Sequence, residues 1–152
     1  MLAFDRGGGQ EAWMRIARSL LLPFLALPLA APVSAAKPIA GRWLTEGGAA
    51  VVTVGPCGGA ACGRITRVIK GPPSGTPVDR NNPDPSLRGR PIEGLTILSG
   101  FADMGDDWRG RIYDPKSGKT YKSILRREAD GSLKVQGCIA FFCRTQRWTP
   151  VR

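Results

Sequence analysis

The sequence predicts an all-β protein: an antiparallel up-and-down barrel of about eight strands behind a cleaved N-terminal signal peptide. Three observations predict it. Beyond residue 36 no stretch holds a 3.6-residue apolar period, short apolar or alternating runs recur between turn signals, and four cysteines fall in two equally spaced pairs, each flanking a hairpin turn. Eight strands joined mainly by hairpins avoid exposed edges by closing, and a barrel of that size either fills with side chains or holds one small ligand. A two-sheet sandwich is the structural alternative.

In chain order, a basic patch at Arg15 and Arg18 precedes an apolar run, Leu20 to Ala31, broken by Pro23 and Pro28 and followed by Val33-Ser34-Ala35. This is the pattern of a secretory signal peptide over residues 1–35, cut after Ala35 or Ala36, and Met14 is the better start for a compact leader. The run falls short of the roughly 20 residues a spanning helix needs. The first cysteine is Cys57, so the cleavage site offers none for a lipid anchor, and a soluble periplasmic or secreted product is expected. The mature chain, residues 36–152, is 117 residues long, enough for one domain and one core. Without the leader's three basic and two acidic residues, 19 basic stand against 10 acidic, a net charge of +9. That balance favours acidic partners in general, but no Lys/Arg cluster exceeds two residues, so the charges read as a solvated outer face. Nucleic acid is not expected as a partner: it would need aromatics interleaved with basic residues on one exposed face, and the expected export argues further against it. A monomer is expected.

Strands are predicted near 41–46, 49–56, 62–69, 94–100, 107–113, 120–127, 132–138 and 141–149, with turns at 46–48, 114–118 and 128–131. Trp108, Gly110 and Ile112 alternate with Arg109, Arg111 and Tyr113. Tyr121, Ser123 and Leu125 alternate with Lys122, Ile124 and Arg126. Trp43, Trp108 and Trp148 read as core, since aromatics dominate small cores.

Cys57 and Cys62 enclose four residues, as do Cys138 and Cys143. An oxidising compartment makes disulfides the default. A four-residue loop puts the two cysteines opposite each other, and a non-hydrogen-bonded antiparallel pair brings Cα atoms to about 4.5 Å, within disulfide reach. Local bridges 57–62 and 138–143 are expected. Other connectivities and a four-cysteine zinc site are the rivals, but the spacing is not that of a zinc knuckle. The pairing also sets faces. Cys138 opposite Cys143 places Leu133 across from Trp148, Val135 from Gln146 and Gly137 from Arg144, all on the apolar interior face. In the first hairpin the same reasoning faces Val54 with Ile65 and Val52 with Arg67. Arg144 and Arg67 are thus expected inside, with Gln146.

A buried guanidinium needs a carboxylate, a carbonyl or an anionic ligand. The protein's own acids, Asp79, Asp84 or Glu93, are one answer. The other is a ligand-binding wall of Arg144, Gln146, Trp148, Arg67 and Tyr121. The stretch 79–90 reads as an ordered loop at the mouth or a plug, with Asp79, Asn82, Asp84 and Arg88 as its candidate residues and Pro83 and Pro85 stiffening it.

The chain contains no histidine and its cysteines are committed, so Ser-His, Cys-His and His-metal chemistry are excluded. An enzyme would have to use carboxylates such as Asp79, Asp84, Asp103, Asp106 and Asp107. Calcium at Asp79, Asn81 and Asp84 is disfavoured by Pro83 and by the lack of a later bidentate Glu. No catalytic residue, metal or cofactor is assigned.

The order Gly41-Arg42-Trp43, Cys62-Gly63-Arg64-Ile65, Asp79-x-x-Asn82-Pro83-Asp84, Gly94-Leu95-Thr96-Ile97-Leu98, Trp108-x-Gly110-x-Ile112-Tyr113-Asp114-Pro115, Gly118-Lys119-Thr120-Tyr121 and Arg144-Thr145-Gln146-Arg147-Trp148 resembles the family of exported bacterial proteins called domain of unknown function 2147. The resemblance covers nearly the whole chain past the leader. It implies a small barrel of lipocalin-like topology and an envelope location, and no reaction. Gly41-x-Trp43 is also similar to the lipocalin opening motif, with Arg147 or Arg152 as the arginine to cover that tryptophan.

The leading expectation is a non-enzymatic barrel that binds a small hydrophobic or anionic amphiphile, a lipid for example. The alternative is an interaction module with a filled barrel that docks another envelope protein, and a carboxylate-based hydrolase is third.

Overall fold

A computed structural model describes residues 34–152; the leader and the Met14 start lie outside the described residues, save Ser34 and Ala35. Eight strands succeed one another: β1 (Gly41–Leu44), β2 (Ala50–Cys57), β3 (Ala60–Val68), β4 (Thr96–Asp103), β5 (Trp108–Asp114), β6 (Lys119–Arg127), β7 (Leu133–Ile139) and β8 (Phe142–Pro150). Single 3-10 turns stand at Glu46–Gly48 and Pro85–Leu87. Each strand pairs antiparallel with its chain neighbours, and β8 meets β1 through Trp43 opposite Pro150 and Leu44 opposite Thr149. The sheet is a closed up-and-down barrel, which removes the sandwich alternative. No helix among the described residues is long and apolar enough to cross a membrane.

Inward side chains fill much of the lumen. Trp43, Val52, Leu98, Phe101, Leu125, Leu133, Val135 and Trp148 are all buried in one cluster. Two glycines let that packing close up. A Cβ on Gly63 would stand 2.7 Å from Leu98, and one on Gly110 2.7 Å from the Phe101 ring. The end of the barrel where β1 begins is strapped by the preceding residues. Ala36 donates its N–H to Asp103 at 3.0 Å, Lys37 and Ile39 accept from the Trp108 and Trp43 indoles, and Ile39 is fully buried. Arg127, not Arg147 or Arg152, covers Trp43, its guanidinium 5.1 Å from the ring centre. Arg147 instead reaches Asp130 in the β6–β7 turn at 2.6 Å, and Arg152 is exposed.

Both disulfides form, and β7–β8 has the expected register: Cys138 faces Cys143, Gly137 faces Arg144, Val135 faces Gln146 and Leu133 faces Trp148. The first hairpin departs from expectation. Gly58 and Gly59, at φ +54° and +83°, make a two-residue turn of the kind glycine pairs favour, so Cys57 faces Ala60 and Cys62 faces Gly55. The bridge is diagonal, with Cα atoms 5.8 Å apart. Val52 consequently faces Ile65 and Val54 faces Gly63. Val51 then pairs with Arg67, which leaves Thr66 as an extra residue. Such a bulge reverses the alternation beyond it, and Arg67 is exposed on the outer face.

Candidate functional site

The up-and-down order gathers the β1–β2, β3–β4, β5–β6 and β7–β8 connections at one end, called here the loop end. The long β3–β4 connection carries residues 79–90. Asp79 is fully buried, and its carboxylate accepts from Tyr113 Oη at 2.6 Å, Asn82 Nδ2 at 2.8 Å and Arg90 Nε at 2.9 Å. The Arg90 guanidinium also lies 5.9 Å from the Tyr113 ring centre. Burial pushes the Asp79 carboxyl up, but the three donors and the Arg90 charge outweigh it and hold the carboxyl below its ordinary value. The same burial and the neighbouring Asp79 push the Tyr113 phenol up.

Around this centre the loop satisfies itself. Asp84 caps the turn Pro85–Leu87 by accepting from the Ser86 N–H at 2.9 Å and hydroxyl at 2.7 Å. Arg88 donates to the Asn82 carbonyl at 2.8 Å. Asn81 donates to the Lys116 carbonyl at 2.8 Å, and Gly118 in the β5–β6 turn, at φ +67°, lies so close to Asn81 that a Cβ would overlap its carbonyl.

Tyr113 stands on the opposite side of β5 from Ile112, which faces Leu98 and Tyr121 across the inner wall. The loop therefore packs on the outside of the barrel wall and is not a plug in its mouth. Its acids are not the partners of Arg144 or Arg67 either, because Asp79 is taken by Arg90 from its own loop. Asp103 is likewise engaged, accepting from the Ala36 and Gly105 N–H groups.

The inner wall toward the loop end has a different character. One row crosses four strands, Gly110, Ser123, Gly137 and Arg144, each opposite the next. Ser123 is 2% exposed and its hydroxyl has no hydrogen-bond partner among the described residues. A Cβ on Gly137 would have only Ile112 at 3.5 Å and Tyr121 at 4.0 Å beside it, so its surroundings are looser than those of Gly110. Arg144 is exposed and forms no salt bridge among the described residues. Gln146 and Tyr121 are half-buried; Gln146 accepts from the Trp148 indole at 2.9 Å, and the Tyr121 hydroxyl lies 3.1 Å from Ser117 Oγ. Two open clefts lie elsewhere: one of about 390 Å³ beside Ser34–Lys37 at the strapped end, one of about 380 Å³ along Arg90–Thr96.

The sequence profile of a family described as "Uncharacterized protein conserved in bacteria (DUF2147)" matches residues 41–150. The chain belongs to this family. Among solved structures, this DUF2147 protein is similar to protein HP1028 from the human pathogen Helicobacter pylori, described as belonging to the lipocalin family. That likeness has 22% identity and a TM-score of 0.67, covering 76% of this chain and 84% of the other. At that identity it speaks for the fold. A search of curated protein sequences gives no significant match.

Of the residues singled out in the sequence, the fold brings Arg144, Gln146 and Tyr121 onto one wall. Trp148 belongs to the core beneath them, and Arg67 lies outside. Asp79, Asn82, Asp84 and Arg88 form the separate outer loop. Sequence reasoning missed Ser123 as a site residue, although its small neighbours Gly110 and Gly137 occupy matching positions in adjacent strands. It also missed Tyr113 and Arg90, whose part in holding Asp79 no local pattern signals.

Proposed function

We propose that this protein is a non-enzymatic, exported DUF2147 barrel that takes a small amphiphile at its loop end, with the acidic or hydrogen-bond-accepting head at Arg144. The unpartnered hydroxyl of Ser123 carries the reading. A buried hydroxyl without a partner costs about 1–3 kcal/mol, and here it sits opposite the loosely packed Gly137 and two strands from the Arg144 guanidinium, which has no ion-pair partner among the described residues. Ligand polar atoms along that wall would satisfy the hydroxyl and the cation together, while Ile112 and Tyr121 supply apolar contact. Export to the periplasm or beyond is supported by the two disulfides. The filled lumen beneath limits the ligand to a short tail. Native mass spectrometry of protein purified from the periplasm of its host tests the reading. A bound mass lost on Arg144→Ala is the expected result, and a clean apo mass for both proteins would overturn it.

The dense core also favours a second reading, an interaction module with a filled barrel that docks another envelope protein. In that case small molecules leave the melting temperature unchanged, whereas a partner captured by the intact protein is lost when loop-end residues are altered.

A further inference from the structure

The β7–β8 hairpin ends in an apolar tip that stands exposed among the described residues. Ile139 is 64% exposed, Phe141 97% and Phe142 83%. Ile139 faces Phe142, so Ala140 and Phe141 form a two-residue turn, with Ala140 at φ +50°. Directly behind it the Cys138–Cys143 disulfide ties the two strands. A crosslink there prevents the hairpin from fraying and holds both phenylalanines outward, where water contact is unfavourable. Exposed apolar surface fixed in place in this way marks a docking surface.

Charge around the tip indicates what it docks to. The row that ends at the disulfide reads Arg111, Lys122, Cys138, Cys143 from strand to strand. Arg111 and Lys122 are exposed, and neither has a salt-bridge partner among the described residues. At about 3.3 Å per strand residue, these cations lie about 7–10 Å behind the tip. An apolar element that enters the boundary between headgroups and acyl chains sinks about 5–10 Å, which places such cations level with the lipid phosphates.

We infer that the tip Ile139–Phe142 inserts into the surface of an anionic phospholipid bilayer, with Arg111 and Lys122 on the headgroups. This is peripheral attachment through a hairpin, and it stands whether or not the barrel holds a ligand. Co-sedimentation of the disulfide-intact protein with vesicles tests it. Vesicles of equal parts phosphatidylethanolamine and phosphatidylglycerol should carry the protein down, and pure phosphatidylcholine much less. Phe141→Ser/Phe142→Ser should weaken binding about tenfold or more. Lys122→Gln should weaken it about fivefold, less as salt rises. Because the two phenylalanines are exposed, the double variant should keep the wild-type circular dichroism and melting temperature. A tryptophan introduced by Phe141→Trp should shift its emission to the blue on the anionic vesicles alone. Absence of sedimentation with the anionic vesicles, or equal sedimentation of the serine variant, overturns the inference. So does a result in which the serine variant binds vesicles normally but loses a protein partner, since the tip is then a protein-docking surface.

Discussion

The Tyr113 hydroxyl donates to Asp79 Oδ1 across 2.6 Å and 34 positions of chain, fastening the long β3–β4 connection to the outer side of β5. With Asn82 and Arg90 as further donors, a fully buried carboxylate is satisfied entirely by the protein. Hydrogen bonds to charged groups contribute about 1.5–3 kcal/mol each. Tyr113→Phe should therefore lower unfolding stability by an amount in that range and speed amide exchange in residues 79–90. Urea denaturation and hydrogen exchange measure the two effects; a loop as protected as wild type would show that Tyr113 does not hold it.

The same network sets a pH dependence. The Asp79 carboxyl is held below its ordinary value of 3.8, so the fold favours its ionised form. Its contribution is complete above 3.8 and disappears as pH falls through the lowered folded value. Tyr113 has the opposite sense. Its phenol is raised above 10.0, so its contribution is present below 10.0 and lost as pH rises through the folded value. Asp79→Asn should flatten the acid limb of the stability curve and bring tyrosinate absorbance to lower pH. Unchanged curves in the variant would refute the assignment.

Gly118 is where the loop rests on the β5–β6 turn. At φ +67° and in contact with the Asn81 backbone, it has neither the conformation nor the space for a side chain. Gly118→Ala should cost about 1–3 kcal/mol through strain and break the Asn81 bond to Lys116. A crystal structure of the variant should show residues 79–84 displaced while the barrel stays closed. An undisturbed loop with wild-type stability would count against the contact.

Ser123 separates structural from ligand-binding roles. Replacing a buried, unpartnered hydroxyl removes its desolvation penalty, so Ser123→Ala should raise the stability of the ligand-free protein by about 1 kcal/mol. It should also reduce retention of any co-purifying amphiphile. If the variant is less stable than wild type, the hydroxyl has a partner in solution and does not await a ligand.

Much of the barrel is legible in the chain because hairpins are local. Asp114 to Gly118 and Glu128 to Gly131 announce their turns, and equal cysteine spacing sets the β7–β8 register, which in turn places Arg144, Gln146 and Val135 on one wall. The same spacing misleads at the β2–β3 hairpin for a physical reason. Gly58 and Gly59 allow a tighter turn than the cysteine spacing suggests, and the bulge at Thr66 reverses the faces beyond it, sending Arg67 outward. A bulge answers to both neighbouring strands, so its position is not written in the hairpin alone.

By itself, then, the sequence determined the strand count, the antiparallel order, both disulfides and the presence of an ordered loop at 79–90. Only the tertiary structure decided that this loop lies outside the wall, that Asp79 answers to Tyr113 and Arg90, that Arg127 covers Trp43, and that Ser123 is left without a partner among the described residues. Local elements arise from alternation and turn chemistry, which act over a few residues. Side-chain partners depend on how barrel closure brings distant strands and loops together, and several of those pairs lie far apart in the chain.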